Sequence, residues 1–386
     1  MPELPPPVWV ATSARLQSLV ADLARQPRLA VDTESNSLHA YREQVCLIQF
    51  STPDTDYLVD PLILADLSPL APIFSDPKIE KVFHAVEYDL VGLKRDFGFE
   101  IVSLFDTMQS ARILGYPQVG LDALLGLKFG LKVDKRFQKA DWGQRPLPPD
   151  RLNYARLDTR HLLPLRDLLQ VELEAAGRWD LAREEFIRLA QPNGNGRPEA
   201  SPRALSRAEA WQRVANTQKF TGPQLAVLKE LCDWREIAAS RMDRPPFKVV
   251  DDKRLTAIAL TAPESTRALD EFLTPHQARR FGTEILRAVA RGRRAAPLER
   301  PCTARPNGAF LLRMDLLNQW RKHSAQKLHI ESDLILPRGW MHAIAEKNPQ
   351  TVEELAALMP ASPWRLEKFG EEILKTIAPK IRKTGD

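Results

Sequence analysis

The sequence predicts an α/β domain, a mixed sheet with flanking helices, followed by two small all-α domains. Three observations carry this. Short β-prone runs alternate with segments of helical period over the first 190 residues. Two loop-forming stretches, Gln191-Pro-Asn-Gly-Asn-Gly-Arg-Pro198 and Arg291-Gly-Arg-Arg-Ala-Ala-Pro297, punctuate the remainder. What lies between and after them is repeated.

The strands come first. Arg28-Leu-Ala-Val-Asp32, Val45-Cys-Leu-Ile-Gln-Phe50 and Tyr57-Leu-Val-Asp60 are short, apolar and separated by polar or turn-forming residues, which suggests an antiparallel meander. A fourth, Lys81-Val-Phe-His84, runs into Glu87–Phe97, where Leu90, Leu93 and Phe97 recur at helical spacing, so α/β crossovers join the sheet. Further helices are expected at 107–114, 121–129 and 150–174, the last opening behind Pro148-Pro149 with Asp150 as N-cap.

In the second half, Leu231-Cys-Asp-Trp234-Arg-Glu matches Leu317-Asn-Gln-Trp320-Arg-Lys at an offset of 86. Phe281-Gly-Thr-Glu-Ile-Leu286 matches Phe369-Gly-Glu-Glu-Ile-Leu374 at 88, so the second copy carries a two-residue insertion. The expected organisation is a catalytic domain over 1–190, a linker at 191–210, a helical domain over 211–292, a linker at 293–308 and a second helical domain over 309–386. Trp234 and Trp320, at matched positions amid apolar spacing, read as core residues of the copies.

Composition bounds the function. The 386 residues, 44% hydrophobic and 27% charged, can bury cores for two or three domains. No run approaches the length of a membrane span, and the opening Met-Pro-Glu-Leu-Pro-Pro-Pro lacks the basic flank and apolar stretch of a signal peptide, so a cytoplasmic protein without membrane association is expected. Cys46, Cys232 and Cys302 are odd in number and far apart, which argues against a disulfide framework or a zinc site; Cys46 and Cys232 read as small core residues. Residues 1–190 hold 22 Lys/Arg against 27 Asp/Glu, and the rest 33 against 23, so the halves carry −5 and +10. An acidic half that holds cations, joined to a basic half that gathers a polyanion, would show this split.

The chemistry concentrates in a few carboxylates. Asp32 and Glu34 stand two apart at the end of a strand and so face one side. Asp89 lies at a helix start just beyond another strand, where the dipole favours a carboxylate, with Glu87 as its competitor. Tyr154 and Asp158, four apart, share a helical face. Converging oxygen ligands suit hard divalent cations, Mg²⁺ or Mn²⁺. Two such ions, typically ~3.5–4 Å apart, clamp the attacking and leaving oxygens of an in-line phosphoryl displacement. A phenol of ordinary pKa about 10 is a poor base at neutral pH, so Tyr154 is assigned to orienting the attacking water.

In order, separation and surroundings, Asp32-Thr33-Glu34, then Lys81-Val-Phe-His84-Ala-Val-Glu-Tyr-Asp89, then Tyr154-Ala-Arg-Leu-Asp158-Thr resemble the three motifs of the DEDDy class of exonucleases. Leu131-Lys-Val-Asp-Lys135 and Asp141-Trp142-Gly-Gln-Arg145-Pro-Leu147 are similar to the ribonuclease D family, and the two repeats resemble its HRDC domains. The resemblance implies a ribonuclease H-like catalytic fold and two divalent metals on Asp32, Glu34, Asp89 and Asp158, with Tyr154 beside the water. It further implies release of 5′-mononucleotides from the 3′ end of structured RNA, transfer RNA precursors among them; no obligate protein partner is evident in the sequence. At Ser35-Asn36-Ser37-Leu38-His39 the chain departs from bacterial members, which often carry an aromatic residue after the first Glu, and is closer to eukaryotic exosome-associated ones.

Thr33, Leu38, His39, His84, Trp142 and Arg145 are the candidate RNA contacts. Leu38 and His39 belong to the expected site rim or to loop packing. His84 either assists the site or makes a structural hydrogen bond at a strand end, the commoner case. Trp142 and Arg145 can supply a stacking plane and a phosphate contact, though the same Trp can plug the core beneath a loop, the preferred reading. Asp106 and Asp122 read as helix caps. In the first repeat Arg235, Arg241, Arg244, Lys248, Lys253 and Arg254 can follow an RNA backbone, whereas the second is poorer in charge at His329-Ile-Glu-Ser-Asp-Leu334. The rival readings are a DNA exonuclease on the same carboxylates, a non-catalytic RNA-binding adaptor, and metal-free hydrolysis by a carboxylate pair; the last leaves two acids unexplained beside like charge.

Overall fold

A computed structural model describes residues 5–191, 211–212, 214, 220–299 and 307–378; Cys302, most of the linker expected at 191–210 and part of that expected at 293–308 lie outside them. Contacts divide the chain into two compact units: residues 1–35, 45–199 and 306–386 form one, and residues 36–44 and 200–305 the other.

The first unit is built on β1 (Val8–Val10), α1 (Ser13–Leu23), β2 (Arg28–Ser35), β3 (Val45–Ser51), β4 (Asp56–Val59), α2 (Ala71–Ser75), β5 (Glu80–Phe83), α3 (Glu87–Phe97), β6 (Leu104–Asp106), α4 (Thr107–Leu114), α5 (Leu121–Phe129), α6 (Pro149–Arg160), α7 (Leu162–Ala175) and α8 (Trp179–Ala190). The strands lie in the order β1-β4-β3-β2-β5-β6. The meander β2-β3-β4 is antiparallel, as the short gaps require, while β5 joins β2 in parallel. Two strands escaped the reading, β1 and β6, each only three residues long and so too short to show alternation; they complete the sheet by parallel pairing to β4 and β5. β3 is buried at every position, which a strand covered on both faces must be.

Three helix expectations differ from the structure. The helix expected over 150–174 is two, broken at His161 (φ −101°), because Pro164 has no N–H to give the carbonyl of Arg160. Pro148, not Asp150, occupies the N-cap of α6, and Asp150 sits in its first turn. Asp106 does cap α4, accepting from the Gln109 amide at 2.9 Å. Asp122 does not cap α5: Gly120 holds that place, and Asp122 pairs with Lys135 at 2.7 Å.

The second helical repeat belongs to this unit. It comprises α14 (Gly308–Leu328), α15 (Ser332–Ile335), α16 (Arg338–Lys347), α17 (Val352–Leu358) and α18 (Pro363–Ile377), whose own core includes Leu317, Met341, Ile344, Phe369 and Ile373. Leu334, Ile330 and Trp364 pack into the core of the α/β domain. Arg365, with no exposed surface, bonds Glu184 (3.1 Å) and Glu185 (2.8 Å) of α8, and Arg112 of α4 reaches Glu331 and Asp333.

The other unit holds the first repeat: α9 (Gly222–Arg241), α10 (Pro246–Val249), α11 (Asp252–Thr261), α12 (Thr266–Leu269) and α13 (Pro275–Arg294), the last running two residues past the expected boundary at 292. The long helices α9 and α13 touch backbone to side: a Cβ on Gly292 would lie 2.4 Å from Val227 Cα, so only glycine lets them meet. Trp234 is buried, its indole donating to Glu284 at 2.7 Å, and Cys232 is buried beside it. Arg235 is also buried, bonded to Asp252 and the Val250 carbonyl, which removes it from the expected RNA-facing cations. Residues 36–44 pack here through Tyr41, which donates from its hydroxyl to Glu236 (2.9 Å) and from its amide to Asp243 (3.0 Å).

Candidate active site

β2 carries Asp32 and Glu34 with their carboxylates toward one point, and α6, packed across β2, β3 and β4, brings Asp158 to it. One carboxylate oxygen from each of these three lies within 4.8 Å of the others. Asp89, in the first turn of α3, comes close through Thr33, whose hydroxyl donates to its Oδ1 at 2.6 Å. Asp89 is buried. β3 adds Gln49, paired in register with Asp32, its Nε2 in a long 3.4 Å contact with Asp32 Oδ2.

The electrostatics follow from burial and like charge. Burial, then the charges of Asp89, Asp158 and Glu34, pushes the Asp32 carboxyl well above the usual carboxylate range. Glu34 is raised by burial and by Asp158 and Asp89. Burial raises Asp158 to about 7, and raises Asp89 to about 7 against the opposing bond from Thr33. Anions crowded this way in a partly buried pocket are stable as anions only with a cation among them. An oxygen-only donor set of this kind fits a hard divalent ion.

Tyr154 stands on the same face of α6 as Asp158, held edge-on by Phe137 (ring centroids 5.7 Å apart) and against Trp142 (6.1 Å). Burial first, then Asp158, Glu34 and Asp32, pushes its phenol further up, so it stays protonated at neutral pH and can donate a hydrogen bond but not accept a proton as a base.

The other candidates separate. Thr33, expected to touch RNA, spends its hydroxyl on Asp89. Trp142 is 1% exposed and packs with Cys46, Leu47 and Leu58, so the stacking plane gives way to the core plug. Arg145 is corrected too: its guanidinium grips fully buried Asp60 (2.6 and 2.8 Å) and the Cys46 carbonyl (2.6 Å), leaving no free edge for a phosphate. His84 is held by Thr107 at 2.9 Å, and burial lowers it to about 4, a neutral structural histidine. Leu38 and His39 fall in the 36–44 segment of the other unit; Leu38 is exposed, and the His39 amide closes a turn onto the Asn36 carbonyl. Sequence reasoning missed Gln49 and Phe137. A lone amide inside a strand otherwise apolar from Val45 to Phe50 was the signal for the first; an aromatic in a loop gave none for the second.

Comparison with known proteins bears on this arrangement. Residues 7–174 match the family model described as a 3′-5′ exonuclease, and residues 224–289 and 311–377 each match that of the HRDC domain. Ribonuclease D of Nitrobacter hamburgensis is 31% identical over 95% of this chain and 94% of its own length. The chain belongs to the ribonuclease D family. It is thus a metal-dependent 3′–5′ exoribonuclease, a hydrolase of the ribonuclease D and Rrp6 type. The solved structure of Escherichia coli RNase D, described as an exoribonuclease involved in structured RNA processing, covers 96% of this chain and 98% of its own, with a TM-score of 0.67 and 28% identity. Protein RRP6-like 2 of Arabidopsis thaliana is 34% identical over 67% of this chain, which spans only 30% of that longer relative. In the ribonuclease D frame the two helical repeats are HRDC domains, and the acidic cluster lies within the exonuclease match.

Proposed function

We propose that this chain trims the 3′ ends of structured RNA such as transfer RNA precursors, releasing 5′-mononucleotides by two-metal-ion hydrolysis in the cytoplasm. The convergence of Asp32, Glu34 and Asp158 within 4.8 Å, with Asp89 tethered beside them by Thr33, carries the reading. These four residues would hold two Mg²⁺ or Mn²⁺ ions. When bound, such a pair polarises the scissile phosphate and steadies the attacking and leaving oxygens.

The remaining work falls to the chain. Asp32 and Glu34, fixed on one strand, set the spacing of the site, because a strand has little freedom to move two alternate side chains apart. Tyr154, locked between Phe137 and Trp142, donates its phenolic hydrogen bond and so orients the nucleophilic water for attack along the axis of the leaving 3′ oxygen.

Digestion of 3′- and 5′-labelled single-stranded RNA and matched DNA with Mg²⁺, Mn²⁺ or EDTA tests this. The expected result is stepwise shortening of RNA from the 3′ end, abolished by EDTA and by Asp32→Asn, with Tyr154→Phe slower by about 10²-fold or more. Wild type that binds RNA but never cuts it, whichever metal is added, would establish the adaptor reading; faster cleavage of DNA would establish the deoxyribonuclease one.

A further inference from the structure

Gln49 lies in β3, a strand buried at every position, so its amide must find partners inside the protein or bear the cost of desolvation. Ser51, the strand's other polar residue, meets that demand: its hydroxyl is bonded to Asp56 and Thr159, both at 2.7 Å. Gln49 meets it only in part. Its Nε2 lies 3.4 Å from Asp32 Oδ2, whereas its Oε1, equally buried, has no hydrogen-bond partner among the described residues.

The register shows what surrounds this amide. Gln49 stands opposite Asp32 on β2 and opposite Leu58 on β4, and Leu47 stands opposite Glu34. Opposed residues, and residues two apart on one strand, share a face, so these five side chains lie together on the face that α6 crosses. Trp142 packs with Leu47 and Leu58, the neighbours of Gln49 on that face, and its indole Nε1 is likewise buried without a partner among the described residues. The other buried donors left unpaired lie elsewhere. Arg156 is turned to Asp56 and the Pro5 carbonyl, and Arg235 belongs to the first HRDC domain.

The chemistry of a metal-binding carboxylate gives this pairing a use. A donor on one oxygen fixes the rotation of the carboxylate and so aims the other oxygen. A neutral amide does this without the charge by which a lysine or arginine would compete with the ion. The Thr33 backbone amide also serves Asp32, but it moves with the same strand, whereas Gln49 ties the carboxylate to a second one. An amide can turn over with little change of shape and present oxygen to the carboxylate instead. A donor on Oε1 prevents that turn, and an indole N–H can only donate.

We propose that Gln49 is a positioning residue for metal binding: its amide nitrogen fixes the rotation of the Asp32 carboxylate, and the indole N–H of Trp142, across a bridging water, keeps the amide turned that way. Trp142 then serves two parts of the site, Tyr154 through its ring and Asp32 through its nitrogen. The role rests on the divalent-metal reading of the acidic cluster.

The test titrates Mn²⁺ by calorimetry into the full chain after treatment with EDTA, so the readout is affinity and not turnover. Gln49→Met, similar in length and without a donor, weakens Mn²⁺ binding by about 10-fold. Trp142→Phe keeps a ring against Tyr154, removes the N–H, and weakens binding by about 3-fold. Both act along one path, so the double variant binds no more weakly than Gln49→Met alone, whereas independent structural effects would multiply to about 30-fold. Tyr154→Phe keeps wild-type affinity, which separates the indole nitrogen from the ring contact. In Gln49→Met the Mn²⁺ needed for half-maximal rate rises with the dissociation constant while KM for RNA stays unchanged. If melting curves show Gln49→Met unfolded, Gln49→Asn, which draws the amide back by one methylene, takes its place with the same expected loss. Wild-type affinity in the folded Gln49 variant, or multiplied losses in the double variant, overturns the proposal. A wild-type chain that binds Mn²⁺ no tighter than Asp32→Asn does overturns the metal reading itself, and the positioning role with it.

Discussion

Arg365→Met asks what holds the second HRDC domain to the exonuclease. Arg365 has no exposed surface and neutralises Glu184 and Glu185, which are 5% and 2% exposed in their side chains. Methionine keeps much of the stem's packing but strands the carboxylates. Breaking a buried pair by removing one partner costs about 3–5 kcal/mol. Two features place this case at the low end, near about 3 kcal/mol. Arg188 still bonds Glu185 (3.0 Å), and the amides of Trp364 and Arg365 still bond Glu184. Burial already raises the Glu184 carboxyl against the pull of Arg365, so losing the guanidinium lets it take a proton and limits the penalty. A loss of about 3 kcal/mol corresponds to roughly a hundredfold more opening of the docked face. Hydrogen exchange of amides in α8 and α18 measures it directly in the full chain, and Arg365→Met/Glu184→Gln should recover a substantial part of the protection. Exchange rates within twofold of wild type in the single variant would refute the claim that this charge cluster anchors the domain.

Three further expectations follow from the same geometry. Asp89 and Asp158 stand at about 7 when folded against 3.8 ordinarily, so the metal-free native state binds extra protons between these values; the stability these two groups contribute is full below about pH 4 and is lost as pH rises through 7, while a divalent ion, competing with those protons, restores it increasingly above pH 7. Melting curves from pH 5 to 8 in EDTA and in Mn²⁺ read this, and parallel, pH-independent curves would contradict it. Thr33→Val removes the bond that presents Asp89, so the metal concentration needed for half-maximal activity should rise about 10-fold with KM for RNA unchanged, whereas a raised KM alone would return Thr33 to the RNA-contacting role. Gly292→Ala forces a methyl against Val227 backbone and should destabilise the first HRDC domain by about 1–3 kcal/mol in urea denaturation, a neutral result showing that α9 and α13 can part.

The sequence by itself determined the sheet's meander, the ends of α3, α4 and α5, the internal repeat, and the five residues gathered in or beside the acidic cluster. These are local matters. Strand and helix periods, and the two-residue and four-residue spacings that put Asp32 with Glu34 and Tyr154 with Asp158 on common faces, are set by backbone geometry over a few residues. Only the tertiary structure decided the partners. Nothing near Arg145 announces that Asp60, 85 positions away, will bury its guanidinium, and nothing near Trp142 says whether a loop tryptophan faces solvent or core. Thr33 and Asp89 meet across 56 residues because β2 and β5 lie side by side, and a strand order is a long-range choice that no local pattern encodes. The repeats make the same point most plainly. Their shared Trp, Arg and Phe positions were legible as one fold written twice, yet which copy would be closed against α8 depended on Glu184 and Glu185 arriving at Arg365 from some 180 residues away, since burial and ion pairing are properties of surfaces that meet only after the chain has folded.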